Sequence, residues 1–394
     1  MTLFQDAGAN PSGDARALGA ALALYGAIGD YALGNDPAHG RRTASVACGI
    51  AEIASVSESE RHAIYFAGML HAIGALGNSG VRKRDALAAR AAMMERWNVP
   101  AQGARICDVI AALPKECADL VRWHREAWDG TGYPDQLRWH GIPKYAQFLH
   151  LAEVFLEFGD PEEAMAAIVA ASGRLFSPEE VRTFLSWFHT SGGEVEILPV
   201  PHEALDPKRT STSQVFFLVS EAIDAHNLSP GRSTRVATLA RATAAAYGAS
   251  ETECDVTEAA ARLFGIGEFD AEELEWRMFD PLAALGREVR GTHAATSAAV
   301  VAHVEEFAAA AGALRARAEW FDGTGLPGRL RADAIPTAAR VLAVAIAYEA
   351  LDEGFRTQFR GERFTPQDRI ESASGTQFDP KVVRAFQTAL KAKV

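Results

Sequence analysis

His124-Arg125-Glu126-Ala127-Trp128-Asp129-Gly130-Thr131-Gly132-Tyr133-Pro134 is the stretch on which the reading of this chain turns. Its second half returns 193 residues later as Asp322-Gly323-Thr324-Gly325-Leu326-Pro327. One D-G-T-G alone would mean only a turn, because Asp and Gly tolerate positive φ. Here other segments keep the same offset. Ser57…Glu60 returns as Ser250…Glu253, Glu126 as Glu319, and Ile142-Pro143 as Ile335-Pro336. Separate segments in one register indicate a duplicated domain, and the period is too long for a solenoid unit.

Both copies read as helix. Alanine, leucine and glutamate dominate, and β-branched runs are few. Ser57-Glu58-Ser59-Glu60 and Ser177-Pro178-Glu179-Glu180 fit capping boxes, and Thr365-Pro366 and Asp379-Pro380 mark further helix starts. Only Glu194 to Leu198 resembles a strand. The expectation is an all-α chain of two tandem helical bundles. The first covers residues 1–190, a Pro/Gly-punctuated linker residues 191–213, and the second residues 214–394. A length of 394 residues suits two domains.

Composition narrows the function. Hydrophobic residues make up 48% and charged residues 23%, which excludes wholesale disorder. A net charge of -12 repels a nucleic-acid backbone, so neither DNA nor RNA is expected as partner. The four cysteines form no C-x-x-C, which fits a reducing cytoplasm better than a disulfide framework or zinc knuckle. The uncharged run Ala17 to Gly29 is too short for a membrane span. Asp6 and Asp14 precede it with only Arg16, unlike a signal peptide. The charged run Asp270 to Glu275 reads as a solvated helix start.

The signature stretch resembles the H-H-E-x-W-D-G-x-G-Y-P motif of HD-GYP domains, a subgroup of the HD metal-dependent phosphohydrolases. His39-Gly40-Arg41-Arg42 resembles the first ligand helix of that family, and Met69-Leu70-His71-Ala72-Ile73-Gly74-Ala75 its L-L-H-D-I-G-K segment. Leu151-Ala152-Glu153-Val154-Phe155 resembles the closing V-A-D-x-F helix. Phe378-Asp379-Pro380 and Phe176-Ser177-Pro178 resemble the F-D-P that opens the last helix. The resemblance implies an all-helical fold, hydrolysis of cyclic di-GMP, and a centre of two or three iron or manganese ions. There a metal-activated hydroxide attacks a phosphodiester while the metals neutralise phosphoryl charge. Imidazole and carboxylate suit such ions.

Both copies depart from that pattern. In the first, the resemblance places His39, His71, His124 and Glu153 at ligand positions. Ala72 stands where the Asp of the His-Asp pair belongs, and Ala75 where the lysine belongs. Val99 and Arg125 replace further histidines, and Asn35 an early glutamate. One divalent metal, iron or manganese, is the expected maximum; the competing reading is three hydrogen-bonded core histidines. In the second copy Arg232, Phe264-Gly265, Glu268, Arg317-Ala318 and Ile346 occupy the matching places. His293 alone survives. No metal is expected there, and core side chains are expected to fill the pocket.

The loop residues Asp129, Gly130, Gly132, Tyr133 and Pro134, with Arg125, are candidates for ligand binding or loop structure. Asp322, Gly323, Gly325 and Pro327 are their second-copy counterparts. Tyr133, Trp128 and Trp139 offer faces for a guanine, though aromatics beside such turns more often pack the loop. Arg41, Arg42 and Arg138 read as solvated arginines. The expected function is a divergent relative of cyclic di-GMP phosphodiesterases, with weak or no catalysis and a regulatory, ligand-binding role toward cyclic di-GMP or another small nucleotide. Two alternatives stand beside it. One is an active one-metal phosphohydrolase in the first domain. The other is an interaction module for a diguanylate-cyclase-type protein.

Overall fold

A computed structural model describes residues 11–77, 86–269, 282, 286–357 and 365–392. Among the described residues there is no strand, and Glu194 to Leu198 is irregular. No described helix is long and apolar enough to cross a membrane. Asp270 to Glu275 lies outside the described residues. The chain divides into two compact units, Ala7–Val215 and, apart from the first six residues, Phe216–Val394.

The first unit contains α1 (Pro11–Leu33), α2 (His39–Ile53), α3 (Glu58–Leu70), α4 (Ala86–Val109), α5 (Cys117–Trp123), α6 (Lys144–Glu157), α7 (Pro161–Ala170) and α8 (Pro178–Ser191). Tyr25, Phe66, Phe148, Phe176 and Phe184 form the fully buried centre. α2 packs on α3 and α6. Gly68 permits the close approach: a Cβ there would lie 2.7 Å from the Ala44 Cα. That contact draws the start of α2, with His39, toward the end of α3, with His71.

The caps form where the sequence places them. Ser57 accepts from the Glu60 amide while the Glu60 carboxylate reaches back, and Ser250 with Glu253 repeats the arrangement. Thr365 closes a full box with Asp368. Ser177 does not. Its hydroxyl accepts from the Glu179 amide at 3.1 Å, but its own amide already donates to Gln147 at 2.8 Å. The donor that Glu180 would need is therefore taken.

The second unit contains α9 (Thr212–His226), α10 (Arg232–Tyr247), α11 (Glu251–Leu263), α12 (Arg287–Val301), α13 (Ala308–Ala316), α14 (Thr337–Thr357), α15 (Pro366–Ser372) and α16 (Pro380–Lys391). α10 packs on α11, α14 and α16. α10 begins 193 residues after α2, and α11 begins and ends 193 residues after α3.

Residues 191–213 run along the first unit. The Leu198 amide donates to Ser45 Oγ at 2.9 Å, and the Leu198 carbonyl accepts from Tyr65 Oη at 3.1 Å. Ala112 N donates to Thr210 Oγ1 at 3.2 Å.

The signature loop is built the same way in both units. Glu126 is fully buried, and its carboxylate accepts the amides of Asp135 and Leu137 at 2.7 and 3.0 Å. Glu319 accepts those of Gly328 and Leu330, the latter at 3.0 Å. Asp129 Oδ1 holds the amide and hydroxyl of Thr131 at 3.0 and 2.6 Å, and Asp322 holds Thr324 at 2.9 and 2.7 Å. The Asp129 amide donates to Arg174 O, and the Asp322 amide to Thr376 O, both at 2.9 Å. At Gly132 a Cβ would lie 2.1 Å from the Ala127 amide nitrogen, and at Gly325 2.0 Å from that of Trp320. The tight fold explains why Asp129, Gly130, Gly132 and Pro134, and Asp322, Gly323, Gly325 and Pro327, occur in both copies. They close the scaffold, and Asp129 spends its carboxylate within the loop.

Candidate metal centre

Four helices position the predicted ligands of the first unit. α2 begins with His39, α3 ends one residue before His71, and α6 carries Glu153. His124 follows the short helix α5. Ligand atoms of His39, His71 and Glu153 all lie within 4.8 Å of one another. His71 Nε2 is 3.2 Å from Glu153 Oε1, and His124 Nε2 is 3.6 Å from Glu153 Oε2. His71, His124 and Glu153 are buried.

Backbone carbonyls orient the rings. His71 Nδ1 lies 2.7 Å from Gly68 O, and His124 Nδ1 lies 2.7 Å from Val121 O. A carbonyl only accepts, so each Nδ1 carries the proton and each Nε2 offers its lone pair inward. Burial holds His124 and His39 neutral, pushing the first down to about 3 and the second to about 4. Burial is the largest influence on Glu153 and works against its ionisation, but the Arg125 guanidinium and the neighbouring imidazoles of His124, His71 and His150 together outweigh it and hold the carboxylate at about 2. Neutral imidazoles and an ionised carboxylate are the protonation states a cation needs.

The residues fit one ion. His71 Nε2 and Glu153 Oε2 are buried and make no hydrogen bond. Buried polar atoms are normally satisfied, and a cation would satisfy both. A larger cluster does not fit. Arg125, at the position of a further histidine, places its Nη2 2.6 Å from Glu153 Oε1. A guanidinium and a dication about 4 Å apart repel by roughly 8 kcal/mol at an effective dielectric near 20. Ala72 is buried and supplies no bridging carboxylate.

A cavity of about 180 Å³ opens over these residues, and Asn35, Val99, Arg125 and Tyr133 line it with the four ligand candidates. Tyr133 stacks on Trp97, ring centres 5.9 Å apart and planes within 18°. Trp128 packs edge-on against His140, and Trp139 is 58% exposed. Arg42 pairs with Asp36 at the surface, and Arg41 reaches Leu198 O at 3.4 Å.

Sequence reasoning misses three residues here. Asp30 is buried in α1, and its Oδ2 accepts the Gly40 amide at 2.7 Å, beside His39. Its one signal is a charge closing an apolar run. His150 lies one helical turn before Glu153, buried and pushed down to about 4 by burial. Its Nδ1 lies 3.2 Å from Glu126 O, so it braces the signature segment. Trp97 carries no motif at all.

In the second unit the matching positions hold buried charges beside Phe264, so the expected apolar filling is met only in part. Phe264 is fully buried, but Ile346 is only half-buried. Arg232 and Glu268 form a buried ion pair at 2.5 Å. Arg317 is also buried, and its Nη2 donates to Phe264 O at 3.3 Å. Among the described residues no metal-ligand group occurs there.

A family model described as an HD domain matches residues 33–179 and, again, 218–382. The 3'3'-cGAMP-specific phosphodiesterase 3 of Vibrio cholerae serotype O1 is 26% identical over 297 residues, 67% of this chain and 61% of the relative. A cyclic di-GMP phosphodiesterase of Thermotoga maritima is 30% identical over 161 residues, 37% of this chain and 43% of the relative. The matched stretches thus span less than two thirds of those relatives. The crystal structure of the V. cholerae cyclic GMP-AMP specific phosphodiesterase V-cGAP3 superposes with a TM-score of 0.67 at 20% identity, over 95% of this chain and 97% of that one. That likeness is one of fold.

Proposed function

The chain belongs to the HD-domain family, and on that premise we propose that its first unit binds a cyclic dinucleotide with at most one divalent ion and turns it over slowly or not at all. The role is then regulatory. The observation that carries this reading is the 2.6 Å contact between Arg125 and Glu153, which sets a fixed guanidinium charge beside the ligand carboxylate. His39, His71, His124 and Glu153 would hold the ion. When bound, it would supply Lewis acidity toward a phosphoryl oxygen. Arg125 lines the cavity and keeps a donor face for phosphate oxygens, which guanidinium forks bind in pairs. Tyr133 and Trp97 offer aromatic surface for a base.

A second reading, a working one-metal phosphohydrolase, is favoured by the unbonded His71 Nε2 and Glu153 Oε2. A hydrolysis assay on cyclic di-GMP and cGAMP, with manganese or iron supplied, separates the two. The regulatory reading expects saturable binding with turnover about 100- to 1000-fold below a complete site, the usual cost of one lost charged group. Ala72→Asp combined with Arg125→His should raise turnover. Robust wild-type hydrolysis abolished by His124→Ala would replace the regulatory reading with the enzymatic one.

A further inference from the structure

We propose that the second unit binds a phosphate-class oxyanion between Arg317 and Arg232, at the two positions where the first unit presents His124 and His39. This does not depend on the function proposed above.

The argument begins with charge. Arg232, Glu268 and Arg317 are all more than nine-tenths buried. Glu268 is engaged with Arg232 at 2.5 Å, and Asp224, a further carboxylate among the described residues, is bonded to the amide and hydroxyl of Ser233 at 2.8 and 2.6 Å. Arg317 forms no ion pair among the described residues. One donor reaches Phe264 O, and its buried Nε has no hydrogen-bond partner. Burying a charge without a partner costs several kcal/mol. A merely structural pocket would do better with an apolar side chain at 317.

Geometry makes the excess charge usable. The Arg232 and Arg317 guanidinium carbons lie 4.7 and 5.8 Å from the centre of the same Phe264 ring. One aromatic side chain therefore fixes both cations. Arg290 and His293, on α12, are half-buried and close enough to act on Arg317 electrostatically. Burial holds His293 neutral, at about 4, and pulls Arg317 down to about 10; the Glu268 carboxylate opposes that shift, and Arg232 and Arg290 add to it. A tetrahedral oxyanion would relieve the repulsion among these arginines. It would also accept the idle Nε donor, since guanidinium matches phosphate oxygens in pairs.

The test uses the full chain, stripped with EDTA so that metal in the first unit plays no part. Calorimetric titration with inorganic phosphate should show a saturable site that Arg317→Gln weakens about tenfold or more, the scale of a lost charge-assisted bond. Arg317→Lys, which keeps the charge but not the fork, should fall between and guards against misfolding of the glutamine variant. Arg125→Gln should leave this site in place. A parallel titration with 5'-GMP separates sources: tighter binding than phosphate points to a nucleotide, equal binding to free phosphate, and either supports the site. No saturable phosphate binding by the wild type would overturn the proposal. So would binding that Arg125→Gln removes and Arg317→Gln does not.

Discussion

At His39, His71, His124 and Glu153 the first unit gathers three imidazoles and one carboxylate around a cavity. At Arg232, Phe264, Arg317 and Ile346, 193 residues on, the second unit gathers two guanidiniums, an aromatic ring and an aliphatic chain. The first cluster is built of groups that accept a cation, and the second carries cationic groups of its own. Arg125 brings a guanidinium into the first unit as well, set against the ligand carboxylate.

The largest contrast expected is in metal uptake. Elemental analysis of the purified chain should find no more than one tightly bound ion. His39→Ala with His71→Ala should abolish retention, since it removes two of the three residues whose ligand atoms gather within 4.8 Å of one another. Two ions per chain, or retention in the double variant, would break the contrast.

The buried ion pair comes next. Glu268→Gln leaves Arg232 uncompensated and should lower stability by about 3–5 kcal/mol in chemical denaturation. Arg232→Met with Glu268→Met should be close to neutral. If the single variant is as stable as the double, the charges do not hold the second pocket together.

Acid should act on the two units unequally. His39, His124 and His150 are held far below the usual imidazole value by burial, as is His293 in the second unit. Below pH 6.5 the unfolded chain takes up protons that the folded one refuses. The stability they confer is complete above that pH and drains away toward pH 4. The limiting slope is roughly 4 kcal/mol per pH unit for three such groups against roughly 1.4 for one. Hydrogen exchange of metal-free protein should show α2 and α3 losing protection before α10 and α11 as pH falls from 7 to 5. Equal loss would mean the imidazoles are not buried as described.

The smallest effect should be the same in both units. Ser57→Ala and Ser250→Ala remove matching caps, and each should cost about 1 kcal/mol by denaturant midpoint. A large difference would show that the two caps bear different loads.

The helical fold was legible because its signals are local. A capping box needs four consecutive residues, and the signature loop needs Asp, Gly and Thr in adjacent places. The ligand candidates were legible through their motif positions, and His39, His71 and Glu153 do converge. What escaped depends on distance along the chain. Arg232 and Glu268 are 36 residues apart, and nothing in either neighbourhood announces the pair. Asp30 acts only because α1 passes the start of α2, and Trp97 only because Tyr133 folds onto it. Arg232 and Arg317 were legible at their matching positions, but the apolar look of Phe264 and Ile346 gave no sign that both arginines stay buried.

Glu126 and Glu319 each tie down a loop from within the core, and neither is among the candidate ligands. The most recognisable stretch of the chain is therefore under selection for folding, whatever happens in the pocket beside it. A copy can lose all but one of its ligand positions and still display the motif, as the second unit does with His293. The loop by itself therefore does not mark a metal site. The residues that discriminate are those at positions 72, 125 and 153.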